Sequence, residues 1–233
     1  MTRERLRAED GMTLVELLAA MASAVIVLFG AYALLDVAVV SQKDADARVD
    51  MVARGRLAME EVTRQVRSQV CLDRTTVPII EATPNRIHFY ASLAPASDRT
   101  QFQQRTLQYV PAADGGPGRI DETVVDGVGD PPSVSFGASP PRTRTILTDV
   151  QPPAGWDGIF RYYAFDALLA PQMREVTAPV VPAGERQLTV QVRVAFEVRP
   201  RGGRKPRQKV LFDNGVYVRT ADPTDPTRSP KCT

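Results

Sequence analysis

The stretch GMTLVELLAAMASAVIVLFGAYALLDVAVV, from Gly11 to Val40, decides the architecture of this chain. Its centre, from Leu17 to Leu35, holds nineteen residues without a charged side chain. At 1.5 Å per residue, about 19 apolar residues in a helix just span the hydrocarbon core of a bilayer. The stretch therefore predicts a membrane helix.

Two ordinary kinds of apolar N-terminal segment fit this pattern, a cleaved secretory signal peptide and a single-pass anchor. Ala31-Tyr32-Ala33 imitates a signal-peptidase site. The apolar stretch nevertheless continues to Val40, which is long for a secretory signal. Its length favours a retained segment.

One carboxylate, Glu16, stands at the head of the apolar run. An unpaired carboxylate near a membrane costs a few kcal/mol, so its position invites a functional explanation with a named partner. At the membrane interface the cost is small, and Glu16 then needs no function. That alternative leaves the position of Gly11 unexplained.

The order glycine, hydroxyl residue, glutamate and uninterrupted apolar run resembles the class III leader of type IV prepilins and type II secretion pseudopilins. The resemblance covers residues 1–35 and rests on Gly11, Thr13 and Glu16 at fixed offsets. It implies that a membrane prepilin peptidase cuts after Gly11 and methylates the new amino terminus, Met12, where the family more often has phenylalanine. Glu16 then becomes the fifth residue of the mature chain.

The resemblance also implies a location and a mode of assembly. The leader arginines Arg3, Arg5 and Arg7 predict a cytoplasmic N-terminus, because acidic neighbours count little in that rule. The chain then crosses the bacterial inner membrane once, and the remaining domain lies outside the cytoplasm. In a filament, Glu16 would pair with the amino terminus of Met12 on a neighbouring subunit, which offsets both desolvation costs.

After Val40 the sequence becomes polar but keeps a helical period, with Val52, Met59, Val62, Val66 and Val70 on one face. No proline occurs between residues 12 and 76, so we expect one helix over residues 12–70. Gly30 and Gly55 are its expected weak points, each costing about 1 kcal/mol against alanine.

Beyond Cys71, prolines and glycines separate short apolar or alternating runs, which predicts strands joined by loops. The clearest pair, at 188–198 and 210–219, should form a hairpin packed on the helix. The other predicted strands are 77–80, 86–91, 106–110, 120–125, 133–136 and 160–165. The fold class is therefore α+β and pilin-like, with a long N-terminal helix on an antiparallel sheet.

The two cysteines, Cys71 and Cys232, lie far apart in the sequence. Outside the cytoplasm, one disulfide between them is the natural expectation, and it would contribute roughly 4 to 5 kcal/mol by closing a loop of about 160 residues. Two unpaired thiols are the alternative.

Chemistry typical of enzymes is sparse in this sequence. The single histidine, His88, falls in a predicted strand beside aromatic residues, where a structural or surface role is expected. No metal-ligand cluster, phosphate-binding glycine loop or nucleophile elbow is present in the sequence. We expect no enzyme activity, no cofactor and no metal.

A basic cluster between the last two predicted strands is a candidate anion-binding site, by attraction of phosphates if it is exposed. A solvated turn and a contact with lipid headgroups are the alternatives, and no aromatic residue is interleaved to stack on bases. The cluster consists of Arg199, Arg201, Arg204, Lys205, Arg207 and Lys209.

The expected organisation has five parts: a leader at 1–11, a transmembrane and assembly helix at 12–40, its amphipathic continuation at 41–70, a β-rich domain at 71–219 and an irregular tail at 220–233. The expected function is that of a minor pilin or pseudopilin. Its partners would be other pilin subunits, prepilin peptidase, the inner-membrane assembly platform and the membrane. The alternatives are a DNA-uptake pilin that binds nucleic acid through the basic cluster, and an uncleaved single-pass binding protein.

Overall fold

The structure is a computed structural model, and it describes residues 13–73, 76–92, 102–130, 133–166, 173–176, 179–201 and 208–219. The chain divides into two compact units, Met1–Asp46 and Ala47–Thr233. A long apolar N-terminal helix and an antiparallel sheet are both present, so the α+β class is confirmed.

The helix α1 runs from Leu14 to Arg67. The predicted helix over residues 12–70 is thus confirmed to within a few residues at each end. Within the second unit, its buried face includes Met51, Ala58, Val62 and Val66, at the three- and four-residue spacing that keeps side chains on one side of a helix.

The second unit contains a sheet in which every strand pairing is antiparallel among the residues described. The neighbour order is β1-β2-β3-β4-β6-β9-β7-β8, with β10 on β9 and β5 on β4. A short helix, α2, covers Ala183–Leu188. The strands are β1 Ile79–Thr83, β2 Arg86–Ser92, β3 Phe102–Val110, β4 Gly118–Val128, β5 Ser135–Phe136, β6 Arg142–Gln151, β7 Phe160–Phe165, β8 Met173–Glu175, β9 Thr189–Val198 and β10 Val210–Tyr217.

Main-chain hydrogen bonds link β1 and the turn after it to the start of β7 and to the segment before α2. The amide of Phe160 at the start of β7 donates to the carbonyl of Pro84 at 2.9 Å, and the amide of Val181 donates to Ala82 of β1 at 2.9 Å. These bonds occupy polar groups that would otherwise lie unpaired along β1.

The core lies between the inner face of the sheet and α1. The sheet contributes alternate residues of each strand, such as Ile87 and Phe89 of β2 and Val192, Val194 and Phe196 of β9. The β9–β10 hairpin packs on α1 as predicted.

The structure corrects the expectation for Gly55. A Cβ atom at Gly55 would come within 3.0 Å of three ring atoms of Phe212 on β10, whereas a Cβ at Gly30 would meet no atom within 4 Å. The Phe212 ring also stacks on Phe196, with centroids 5.7 Å apart. Gly55 is therefore a close-packing position, because only hydrogen fits between the helix and this ring.

A network of charges also joins α1 to the sheet. Glu122 on β4 is 1% exposed and binds both Arg105 on β3 and Arg144 on β6, with the Arg144 contact at 2.5 Å. Arg144 reaches on to Glu61 of α1 at 2.5 Å. Burial lowers the pKa of Arg105, and the carboxylate of Glu122 opposes that shift. The pairing offsets part of the cost of burying these charges.

Candidate functional site

The first turn of α1 is closed by two side chains that cap each other. The amide and the hydroxyl of Thr13 each donate to Oε2 of Glu16 at 3.0 Å, and the Glu16 amide donates back to the Thr13 hydroxyl at 3.3 Å. This reciprocal arrangement is a capping box, which satisfies donors that have no partner inside the helix. Glu16 therefore has a local role in starting the helix, and its negative charge suits the positive end of the helix dipole.

The residues after this turn form an apolar surface. Every residue from 13 to 43 is exposed, including Leu28, Phe29 and Leu34, each with about two thirds or more of its surface accessible. By length and composition, α1 can cross a membrane, and it is the one such helix in the described part of the chain. A membrane anchor is thus consistent with the structure.

Several predicted site residues lie outside the described residues, namely Gly11, Met12, Arg204, Lys205, Arg207 and Cys232. Cys71 is described and follows the end of α1 at Arg67 by four positions. The pairing of Cys71 with Cys232 stays a prediction.

Three members of the basic cluster, Arg199, Arg201 and Lys209, lie among the described residues. Lys209 forms an ion pair with Glu197 at 2.7 Å. Arg199 is half-buried, and its amide and carbonyl bond to Asp149 and Arg54. Arg201 is exposed. The bonds of Arg199 are made by its main chain and do not engage its guanidinium, so Lys209 is the member whose side chain is paired among the described contacts, and anion binding by the cluster stays a prediction.

His88 lies half-buried on β2, opposite Glu81 on β1 and Thr106 on β3. Burial, followed by the charge of Arg86, lowers the pKa of His88 from its ordinary value. No group of three or more histidine, cysteine, aspartate or glutamate side chains that could hold a metal occurs in the part of the chain that the structure describes. The lowered pKa favours the neutral imidazole, and the structural role expected from the sequence stays a prediction.

A cluster that was not predicted from the sequence surrounds Trp156, the one tryptophan of the chain, in the loop before β7. Arg161 and Arg193 lie directly opposite each other on β7 and β9, an arrangement that costs free energy for like charges. The guanidinium carbons of Arg161 and Arg193 lie 4.1 and 5.6 Å from the Trp156 ring centroid, respectively, and their carboxylate partners are Glu175 at 3.3 Å and Asp213.

The two arginines of this cluster are each paired with one carboxylate, so the cluster has no net charge. The strand register brings the two arginines together. The hydrogen bonds that Arg193 donates to Asp213 raise the pKa of Arg193, so this arginine stays charged. The sequence did contain a hint of this cluster, because the one tryptophan of the chain lies next to a predicted strand that carries an arginine. Only the pairing of β7 with β9 identifies which arginines meet.

A cleft of about 700 Å³ opens beside this cluster, between the β1–β2 turn and the loop before β7. Tyr162 lies at its buried side, and its hydroxyl shares one proton between the carbonyls of Thr83 and Arg86, at 3.0 and 3.2 Å. The lining residues that the structure describes include two carboxylates, Asp157 and Glu175. The cleft is lined by Thr83, Pro84, Asn85, Trp156, Asp157, Gly158, Phe160, Arg161, Tyr162, Glu175, Val176 and Pro179.

Comparison of the chain with protein-family models, with curated proteins and with solved structures gives no match.

Proposed function

We propose that this chain is a minor subunit of a pilin-like filament, either a type IV pilus or a type II secretion pseudopilus, and that it acts by assembly. The observation that carries the proposal is the position of Glu16, a carboxylate in the first turn of an exposed apolar helix. It stands five residues after Gly11, the spacing of the prepilin-type leader.

Processing would prepare this end of the helix for assembly. Prepilin peptidase would cut between Gly11 and Met12 and methylate the new amino terminus. The positive amino group of Met12 then lies four positions before Glu16. Each mature subunit carries a cation and an anion at the same end of its apolar helix, and two subunits offset in register bring opposite charges together.

The capping box explains how one carboxylate can serve both the free subunit and the filament. An ionised carboxylate has about four acceptor positions, and Thr13 donates two hydrogen bonds to it. The remaining positions can accept from the ammonium group of a neighbouring Met12 while the cap stays intact. The cap reduces the cost of holding Glu16 near the membrane, and the intersubunit pair then selects the register of assembly.

The location follows from the same arrangement. The apolar part of α1 would lie in the inner membrane with the N-terminus in the cytoplasm, and the unit beginning at Ala47 would lie outside the cytoplasm. From there the assembly platform would extract the subunit into the filament. This part of the proposal is supported by the exposed apolar surface and by the leader arginines.

The first experiment measures the mass of the N-terminal peptide from membrane and filament fractions, with and without prepilin peptidase. We expect a peptide that begins at methylated Met12 only when the peptidase is present. A peptide that keeps Met1 to Gly11, or that begins after Ala33, would refute the proposal.

A pair of variants separates the two roles of Glu16. In Glu16→Gln the amide oxygen can still accept from Thr13, but the charge is lost, so we expect normal cleavage and at least tenfold less subunit in filaments. In Thr13→Ala the charge stays and the cap is lost at about 1 kcal/mol, so we expect assembly to continue. If Glu16→Gln assembles like the wild type while Thr13→Ala does not, Glu16 is only a helix cap.

A further inference from the structure

Two clefts open beside the arginine pair that contacts Trp156. The first is the cleft of about 700 Å³ described above, and Trp156 and Arg161 lie in its wall. The second has a volume of about 520 Å³, and Arg193 lies in its wall. Because Arg161 and Arg193 lie directly opposite each other on β7 and β9, the two clefts adjoin at this pair. We call the two clefts and the arginine pair between them the Trp156 surface.

The polar side chains at this junction lie on the outer face of the sheet. In the register of β7 and β9, Arg161 lies opposite Arg193, and Tyr163 lies opposite Gln191. Tyr162, between the two β7 residues, belongs to the core. Because successive side chains of a strand point to opposite faces, the four polar side chains share the face away from the core. All four are half-buried, so a ligand on this face can reach them.

The loop that carries Trp156 is held in a defined turn. The amide of Trp156 donates to the carbonyl of Pro153 at 3.1 Å, and Gly155 has a φ of 79°, a conformation that favours glycine. Arg161 donates to the carbonyl of Gly155 at 3.2 Å, while its guanidinium lies over the indole ring. These contacts position the ring in the free protein, so a ligand that binds against it pays little for ordering the loop.

The charges of the Trp156 surface favour a ligand without net charge. Arg161 is paired with Glu175 and Arg193 with Asp213, and these four side chains are between 30% and 44% exposed. With the exposed Asp157, the described lining of both clefts has three carboxylates and two guanidiniums. A polyanion therefore meets no excess of positive charge, and a cation meets two guanidiniums beside the ring.

We propose that the Trp156 surface binds a neutral oligosaccharide that lies across both clefts. Sugar hydroxyls both donate and accept hydrogen bonds, so they suit guanidiniums and carboxylates that keep their own ion pairs. The indole ring of Trp156 offers an apolar surface to the C–H face of a sugar ring. Concave walls with an aromatic ring and a few polar groups are the usual composition of a binding site.

Titration of the full-length chain tests this proposal, in a zwitterionic detergent because detergents with sugar headgroups would compete. The probes are the neutral hexasaccharides of glucose and of N-acetylglucosamine, and binding is read from the fluorescence of Trp156, the one tryptophan of the chain. We expect a saturable change with at least one hexasaccharide and at least tenfold weaker binding of its monosaccharide, since one sugar ring does not contact both clefts. No saturable change with either hexasaccharide, or equally tight binding of the monosaccharide, would overturn the proposal.

Salt dependence separates a neutral ligand from a charged one. Raising the salt concentration from about 50 to about 200 mM lowers the affinity for a nucleic acid by orders of magnitude when several phosphates are contacted. We expect the hexasaccharide affinity to change less than twofold over this range. Single-stranded DNA that binds more tightly than the hexasaccharides, with a steep salt dependence, would overturn the proposed class of ligand.

Calorimetry of matched variants tests the surface itself. We expect Trp156→Ala to raise the hexasaccharide dissociation constant at least tenfold, and Gln191→Ala, in the second cleft, at least threefold. Phe136→Ala is the control, because Phe136 is a half-buried aromatic residue on β5 outside the described lining of both clefts.

Each variant is first shown by thermal unfolding to be folded at the titration temperature, and Gln191→Ala carries the test if Trp156→Ala is not. Wild-type affinity in either folded variant, or an equal loss of affinity in Phe136→Ala, would overturn the proposal. Since the Trp156 surface belongs to the unit that begins at Ala47, these tests do not depend on the filament proposal.

Discussion

At the residue scale, Gly55 shows how packing can reverse a helix propensity. Alanine in place of glycine favours an isolated helix by about 1 kcal/mol. At Gly55 the added methyl would overlap the ring of Phe212, and overpacking of this kind costs about 1 to 3 kcal/mol. Phe212 is held in place by its stacking on Phe196, so it has little room to move.

The difference between these two effects leads us to expect that Gly55→Ala lowers the free energy of unfolding by up to about 2 kcal/mol, measured by denaturant titration of the full chain in detergent. Phe212→Leu in the same background should recover part of the loss. Gly184→Ala in α2 is the control, because its Cβ would meet no atom within 4 Å. Wild-type stability of Gly55→Ala would show that the ring moves freely.

His88 gives a second prediction at this scale, because it is the one histidine of the chain. Its pKa is lowered in the folded protein, from 6.5, by burial and then by Arg86. As the pH falls below 6.5, the unfolded chain binds the proton first, so the free energy of unfolding decreases. Above pH 7 both states are neutral, and this contribution disappears.

We expect the wild type to lose more stability between pH 7 and pH 5.5 than His88→Gln does, when both are measured by denaturant unfolding. Equal losses in the two proteins would show that the imidazole titrates normally. A larger loss in the variant would reverse the sign of the inferred shift.

At the element scale, Arg54 joins α1 to the end of β6 and to the residue after β9. Its guanidinium contacts Asp50 at 2.8 Å, the carbonyl of Arg199 at 3.1 Å and the carboxylate of Asp149 at 3.6 Å. Asp149 lies at a bulge in β6 and has a φ of 60°. Residues other than glycine seldom adopt this backbone conformation. Arg54 thus binds the helix to the irregular part of the sheet.

We expect Arg54→Ala to lower the free energy of unfolding by about 2 kcal/mol. The substitution removes the guanidinium that donates to main-chain carbonyls, so these partly buried acceptors lose their donor. Arg56, two positions along α1, is exposed, and Arg56→Ala should change stability by less than about 0.5 kcal/mol. Thermal unfolding of both variants checks this difference. Equal effects would place Arg54 among ordinary surface residues.

The strands also show at this scale what sequence patterns can predict. β7 and β9 match their predicted ranges almost residue for residue, because their inner residues are apolar and alternate. β6, α2 and β8 were missed. The first four residues of β6 are exposed, and its polar sequence carries no apolar alternation there. Pairing with β4 stabilises this strand, for example where Glu122 lies opposite Arg144. Such a pairing joins residues far apart in the chain, so the sequence around β6 does not reveal it.

At the scale of the whole molecule, the core begins at Met51, and residues 13–43 are exposed. We therefore expect a chain that starts at Ala47 to fold without detergent and to melt within about 4 °C of the full chain, since less than about 1 kcal/mol is lost. The full chain should partition into detergent and the fragment into water. An unfolded fragment would show that residues before Ala47 contribute to the stability of the second unit.

The long apolar helix, the position of Glu16 in its first turn and the apolar alternation of β7 and β9 can be predicted from local sequence, because each depends on residues near one another in the chain. The strand order, the close packing at Gly55, the buried contacts of Glu122 and the arginines around Trp156 become visible in the folded protein alone. These depend on pairs far apart in sequence, and their free energies come from burial and strand register, which no local pattern encodes.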